Sequence, residues 1–189
     1  MKNNRSFLIA LLLTVVVTAL YRVMPNRPYG FAPQIAVALF SGALFVKNKK
    51  WAFVMPLLSM FISDLLYEVL YLNGLSEIKG FYGGQWVNYL LFAGLTLFGF
   101  LIRPDKASNV LGAALAAPTT YFLVSNTIVW AGNGGYHRPK TFEGLMTCLA
   151  DGLPFYKMGI IATVVFSCIL FGSYYLLTVN NTKTAKVAA

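Results

Sequence analysis

The chain has 189 residues, of which 58% are hydrophobic and 11% charged, with a formal net charge of +9 and a mean hydropathy of +0.65. Ordinary soluble domains run at about 45–50% apolar and about 25% charged residues, so the composition excludes a disordered chain and points to a membrane protein. The apolar residues stand in long continuous runs rather than in the alternating ~10-residue segments of a membrane β-barrel, which favours helices.

Six spans can be drawn in chain order. The first, 7–23, follows Lys2 and Arg5. The same two residues, with Val17-Thr18-Ala19 further on, also fit a cleavable signal peptide, so retention and cleavage both stay open. The second span, 31–46, ends at Lys47-Asn48-Lys49-Lys50, and the third covers 51–72. A fourth covers 86–102 and a fifth 110–130. The longest non-spanning stretch, 133–157, holds Gly134-Gly135, Pro139 and Pro154 around an apolar run at 142–150. It reads as a turn followed by a short helix at the outer surface, before the last span at 158–179. At ~20 residues per span, six spans use roughly 120 residues and leave no room for a soluble domain. The expected organisation is an all-α, polytopic transmembrane bundle over residues 1–180 with a short polar cytoplasmic tail at 181–189.

Charge orients this bundle. With the amino terminus in the cytoplasm, Lys2, Arg5, Lys47, Lys49, Lys50, Arg103, Lys106, Lys183 and Lys186 lie inside, and Arg22, Arg27, Lys79, Arg138, Lys140 and Lys157 outside. The inner loops are shorter and more densely basic, which places both termini in the cytoplasm of a cell-membrane protein. Loop asymmetry accounts for the basic excess without nucleic acid as a partner, and the outer cations fit a rim that attracts a ligand.

Polar residues inside spans carry the functional expectation. Asp64 and Glu68 are four residues apart in the third span, which puts them on one helical face with Tyr67 and Tyr71. Carboxylates are costly in a bilayer, so this face is expected to meet the bundle interior or water, or to pair with Arg22 or Arg27 near the headgroups. In the fifth span Thr119, Thr120, Ser125 and Asn126 form a second polar group, with Trp130 one turn on. Asn126 both donates and accepts, which suits a neutral polar ligand and equally a bond between helices. Small residues recur four apart at Ala10-Thr14-Thr18, Ala32-Ala36, Ala38-Gly42, Gly112-Ala116 and Ala113-Ala117, a spacing that lets helices approach closely. Cys148 and Cys168 have no metal-ligand spacing and read as unpaired packing residues. His137 stands alone, and no phosphate loop, nucleophile motif or zinc motif occurs, so neither an enzyme nor a cofactor is expected.

The stretches Phe31-Ala32-Pro33-Gln34 through Ala43, Pro56 through Leu66, Ser125-Asn126-Thr127-Ile128-Val129-Trp130, Gly144-Leu145 and Leu153-Pro154-Phe155 resemble a family of uncharacterised bacterial integral membrane proteins over most of residues 20–175. That family is similar in layout to the S components of energy-coupling factor (ECF) vitamin transporters. The resemblance implies a site open to the outer face under the loops after the first, third and fifth spans. It also implies a membrane scaffold subunit and cytosolic ATPases as partners. S components dock through alanine pairs in the first helix, where this chain has Ala10-Thr14-Thr18. The expected function is uptake of a small polar or vitamin-like molecule. Asp64, Tyr67 and Glu68 would form one wall of the site, Asn126 and Trp130 the other, with Arg22 and Asp151 at the mouth. A structural or assembly subunit of a membrane complex, and an ion or proton path through Asp64 and Glu68, are the alternatives.

Overall fold

The computed structural model describes the backbone of residues 4–132 and 134–187, and the side chains of 11–132 and 134–178. Among the described residues there are six helices and no strand: α1 Asn4–Arg22, α2 Gln34–Leu44, α3 Lys49–Leu72, α4 Gln85–Phe100, α5 Ala107–Ala131 and α6 Phe142–Val187. Three are long and apolar enough to cross a membrane over Lys49–Leu72, Ala107–Ala131 and Phe142–Thr178, which makes this a helical membrane protein. Lys2, Arg5, Ala10, Lys183 and Lys186, used above for topology and the small-residue stripe, have side chains outside the described residues.

Two elements depart from the sequence reading. The second helix is shorter than the expected span of 31–46, because Pro33 occupies its N-cap position with no N–H to give and the chain before it runs as turns. Its 11 residues rise only about 16 Å, roughly half of a ~30 Å hydrocarbon core. The expected surface helix at 142–150 and the last span are instead one helix of 46 residues that passes through Pro154 and on across residue 180. Proline removes one helical hydrogen bond, to the carbonyl of Ala150, but breaking the helix in a bilayer would strand several backbone groups at once. At about 69 Å this helix is longer than the bilayer is thick, so it projects beyond the hydrocarbon on at least one side.

The short α2 is the centre of the molecule. Every residue from Gln34 to Ala43 is buried, and the helix packs against α3, α4, α5 and α6. Its side chains Leu39, Phe40 and Ala43 meet Met60 of α3, Leu95 of α4, Ala117 of α5 and Phe171 of α6 in one apolar core. Glycine makes this crossing possible, since a Cβ on Gly42 would lie 2.5 Å from the Thr96 carbonyl oxygen and one on Gly99 2.5 Å from that of Leu39. The backbones of α2 and α4 are therefore in direct contact, and neither position has room for a side chain.

Of the small-residue stripe of α1, Thr18 packs within the chain. Thr18 is buried, and its hydroxyl lies 2.9 Å from the Ser59 hydroxyl of α3. The α1 residues Leu12, Leu13, Val16, Val17 and Leu20 point outward instead. On α2 the Ala36 and Ala38-Gly42 positions are likewise buried, whereas Gly112 and Ala116 of α5 are exposed. Cys148 is buried, Cys168 is exposed, and both are free thiols.

Candidate functional site

Arg22 closes α1, and its guanidinium turns inward between helices. Its Nη1 donates to the Ser63 hydroxyl at 2.6 Å and to Asp64 Oδ1, both on α3. The other carboxylate oxygen of Asp64 accepts from Gln85 Nε2 at 2.6 Å and from the Tyr89 hydroxyl at 2.7 Å, both on α4. The Asp64 side chain is only 3% exposed, and its two oxygens accept from three donors. Tyr67, one turn above Asp64, donates its hydroxyl to the Arg22 carbonyl at 2.6 Å, and Arg27 donates to the same carbonyl at 3.1 Å. Residues from α1, α3 and α4 are thus tied at one level of the bundle, with Arg22 as the link.

A cavity of about 350 Å³ opens beside this link. Arg22 forms part of its wall, and Gly30, Ala32, Gln34 and Ile35 supply the side formed by the 23–33 loop and the start of α2. Asn88 and Phe92 come from α4, and Tyr121, Phe122, Ser125 and Asn126 from α5. Gly152, Phe155 and Tyr156 come from α6. Among the described residues, Arg22 is the one charged residue of this lining. The aromatic side is ordered, with Phe122 and Tyr156 stacked at 4.5 Å between ring centroids and the Tyr156 hydroxyl 2.9 Å from that of Thr119. Two glycines set the shape. At Gly152 a Cβ would meet Asn126 Oδ1 at 2.6 Å, and at Gly30, where φ is +80°, it would meet the Phe155 carbonyl oxygen at 2.6 Å.

The seven residues expected to form the site do not converge on one space. Arg22 and Asn126 line the cavity. Asn126 donates Nδ2 to the Phe122 carbonyl at 2.8 Å, which aims its amide plane across α5 toward Gly152. Asp64 stands behind Arg22, and Tyr67 behind it again, so both touch the wall from outside. Glu68 faces the 73–84 loop and accepts the Phe81 N–H at 3.0 Å. Trp130 donates its indole N–H to the Pro139 carbonyl at 2.8 Å, and Asp151 holds Arg138 through two bonds of 2.9 and 3.0 Å. Those last contacts clasp the loop between α5 and α6, and hydrogen bonding to Asp151 raises the Arg138 guanidinium above its ordinary value. Among the outer cations, Arg27 is spent on carbonyls, including that of Phe31 at 2.7 Å, and Lys140 sits over the Trp130 ring. The expected rim thus reduces, at the cavity itself, to Arg22.

Sequence reasoning missed Gln34, Asn88, Tyr121 and Tyr156. Gln34 carried a signal, a lone amide opening an otherwise apolar helix directly after a proline. For the others, the register between helices decides, and spacing along one helix does not show it.

None of the curated proteins and none of the solved structures matches the chain. A family profile does, over residues 1–186, and its extent is decisive: the chain belongs to DUF6580, a family of unknown function.

Proposed function

We propose that this protein is the substrate-binding subunit of an uptake system in the cell membrane, similar in layout to the S components of ECF transporters. It captures a small polar or vitamin-like molecule from outside. All six helices cross the membrane, α2 completing its passage with the 23–33 loop, and both termini are cytoplasmic. The observation that carries this reading is the cavity. Its volume of about 350 Å³ lies within the ~300–1,000 Å³ typical of ligand pockets. Aromatic walls with a few convergent polar groups are the usual make-up of such sites. It sits where the ends of α1 and α5 meet the starts of α2, α4 and α6, which is the outer end in the orientation set by loop charge. A membrane scaffold subunit and cytosolic ATPases would supply the energy for release inward, and the outward apolar face of α1 at Leu13, Val17 and Leu20 suits contact with such a scaffold or with lipid.

Purified protein screened against a vitamin and metabolite panel is expected to bind a member, and Asn126→Ala to weaken that binding. A mild-detergent pull-down is expected to bring down a membrane scaffold with two nucleotide-binding subunits. No binding across the panel, together with unchanged uptake in Asp64→Ala and Asn126→Ala, overturns the reading. Co-purification with a different set of subunits and no ligand favours an assembly role.

A further inference from the structure

The geometry points to a ligand class for this cavity: a planar monocarboxylate that also carries an N–H or O–H donor. The inference rests on the cavity being a ligand site. Its carboxylate would sit at the start of α2 beside Arg22, and its donor on the side-chain oxygen of Gln34.

The amino-terminal end of α2 is a buried anion site without an anion from the protein. Pro33 at the N-cap offers no side-chain cap, and the first turn holds no acidic residue. The N–H groups of Gln34, Ile35 and Ala36 meet no acceptor among the described residues. Such a terminus carries about half a positive charge, and its free N–H groups point along the axis toward whatever lies beyond. Here the wall residues Ala32, Gln34 and Ile35 bring that end to the cavity.

Gln34 gives the independent indication. It is 2% exposed and belongs to the wall; its Nε2 reaches the Thr18 carbonyl at 3.5 Å, and its Oε1 has no hydrogen-bond partner among the described residues. Buried acceptors are nearly always satisfied, so this oxygen calls for a donor; it is itself covered from the cavity that Gln34 helps to wall, and a ligand's donor reaches it when the side chain turns. The amide orientation agrees, because the reverse assignment would set oxygen against the Thr18 carbonyl.

Arg22 fixes the charge of the ligand. Its Nη1 is occupied by Ser63 and Asp64, while Nε and Nη2 have no partner among the described residues and a quarter of the side chain is exposed. Asp64 already balances its charge, so what remains for a ligand is directed donors and the helix terminus. That suits one negative charge and falls short for a phosphate dianion. A cation finds no carboxylate in the lining among the described residues. The Phe122–Tyr156 stack favours a flat ligand body.

The test uses the full-length protein in lipid nanodiscs with two matched pairs of probes, indole-3-acetate with indole-3-acetamide and 4-hydroxybenzoate with 4-hydroxybenzamide. Affinity is read by ligand-observed NMR titration. Each carboxylate is expected to bind about tenfold more tightly than its amide. Gln34→Glu, which sets an acid at the same helix terminus, is expected to abolish that preference. Gln34→Met is expected to keep the preference for carboxylate while lowering affinity, and thus shows that the loss in Gln34→Glu is electrostatic. Amides that bind as well as carboxylates overturn the ligand class and leave the cavity standing as a site. So does failure of all four probes on protein whose cavity admits a thiol reagent at Ser125→Cys. A cavity closed to that reagent overturns the ligand-site reading itself.

Discussion

A carboxylate at the centre of a bilayer costs about 2.5–3.5 kcal/mol on insertion scales, so one that is buried must be matched by donors and charge. Asp64 is matched on both oxygens, by Arg22, Gln85 and Tyr89. Its work is to hold the Arg22 guanidinium at the cavity wall. Removing one member of a buried ion pair strands the other, at a cost of about 3–5 kcal/mol. Asp64→Ala is therefore expected to destabilise the protein by about 3 kcal/mol or more, read by denaturant unfolding in mild detergent. The double change Arg22→Met with Asp64→Leu is expected to cost much less than that single one. A loss below about 1 kcal/mol for Asp64→Ala would mean that the pair is not a structural anchor. The sequence showed that an intramembrane carboxylate needed a partner and offered Arg22 among the choices. Spacing on α3 could not show that Glu68, on the same face, turns to the Phe81 N–H in the 73–84 loop.

At the scale of elements, α2 explains both the core and the site. A short helix starting at a proline places its terminus inside the molecule, and close glycine contacts with α4 keep it there. Gly42→Ala forces a Cβ to within 2.5 Å of the Thr96 carbonyl oxygen, whereas a Cβ on Gly94 would meet nothing within 4 Å among the described residues. Gly42→Ala is expected to lower the melting temperature sharply, with a cost of about 1–3 kcal/mol from overpacking. Gly94→Ala is expected to leave it unchanged or slightly raised. Equal tolerance of both would contradict direct α2–α4 backbone contact. Gly152→Ala acts on the site instead, since its Cβ would displace the Asn126 amide that lies 2.6 Å away. A loss of ligand binding with little change in melting temperature is the expected result. Helix number and type were legible because long apolar runs have few alternatives. The ends of α2 and the continuity of α6 were not, because proline has two meanings in such a chain. Pro33 starts a helix, while Pro154 sits within one that lipid has reason to keep intact.

The cavity and the loop charges bear on each other. On the proposed orientation, the cavity beneath the 23–33 loop and between α5 and α6 lies at the outer end. Orientation is testable by single cysteines in a Cys148→Ser, Cys168→Ser background. In intact cells a membrane-impermeant maleimide is expected to label His137→Cys and to spare Asn48→Cys until the membrane is opened. The reverse pattern would invert the bundle and place the cavity at the cytoplasmic end.

The proposed site requires the space beside Arg22 to be a cavity reached from outside. The most direct measurement is the rate at which a small impermeant methanethiosulfonate modifies Ser125→Cys, in the cavity wall, against Leu123→Cys, which is 46% exposed on the outer surface of α5 within a membrane-spanning helix. Rapid modification at 125 and almost none at 123, where lipid covers the side chain, is the expected result. Equal protection of both positions, or faster modification at 123, would contradict it.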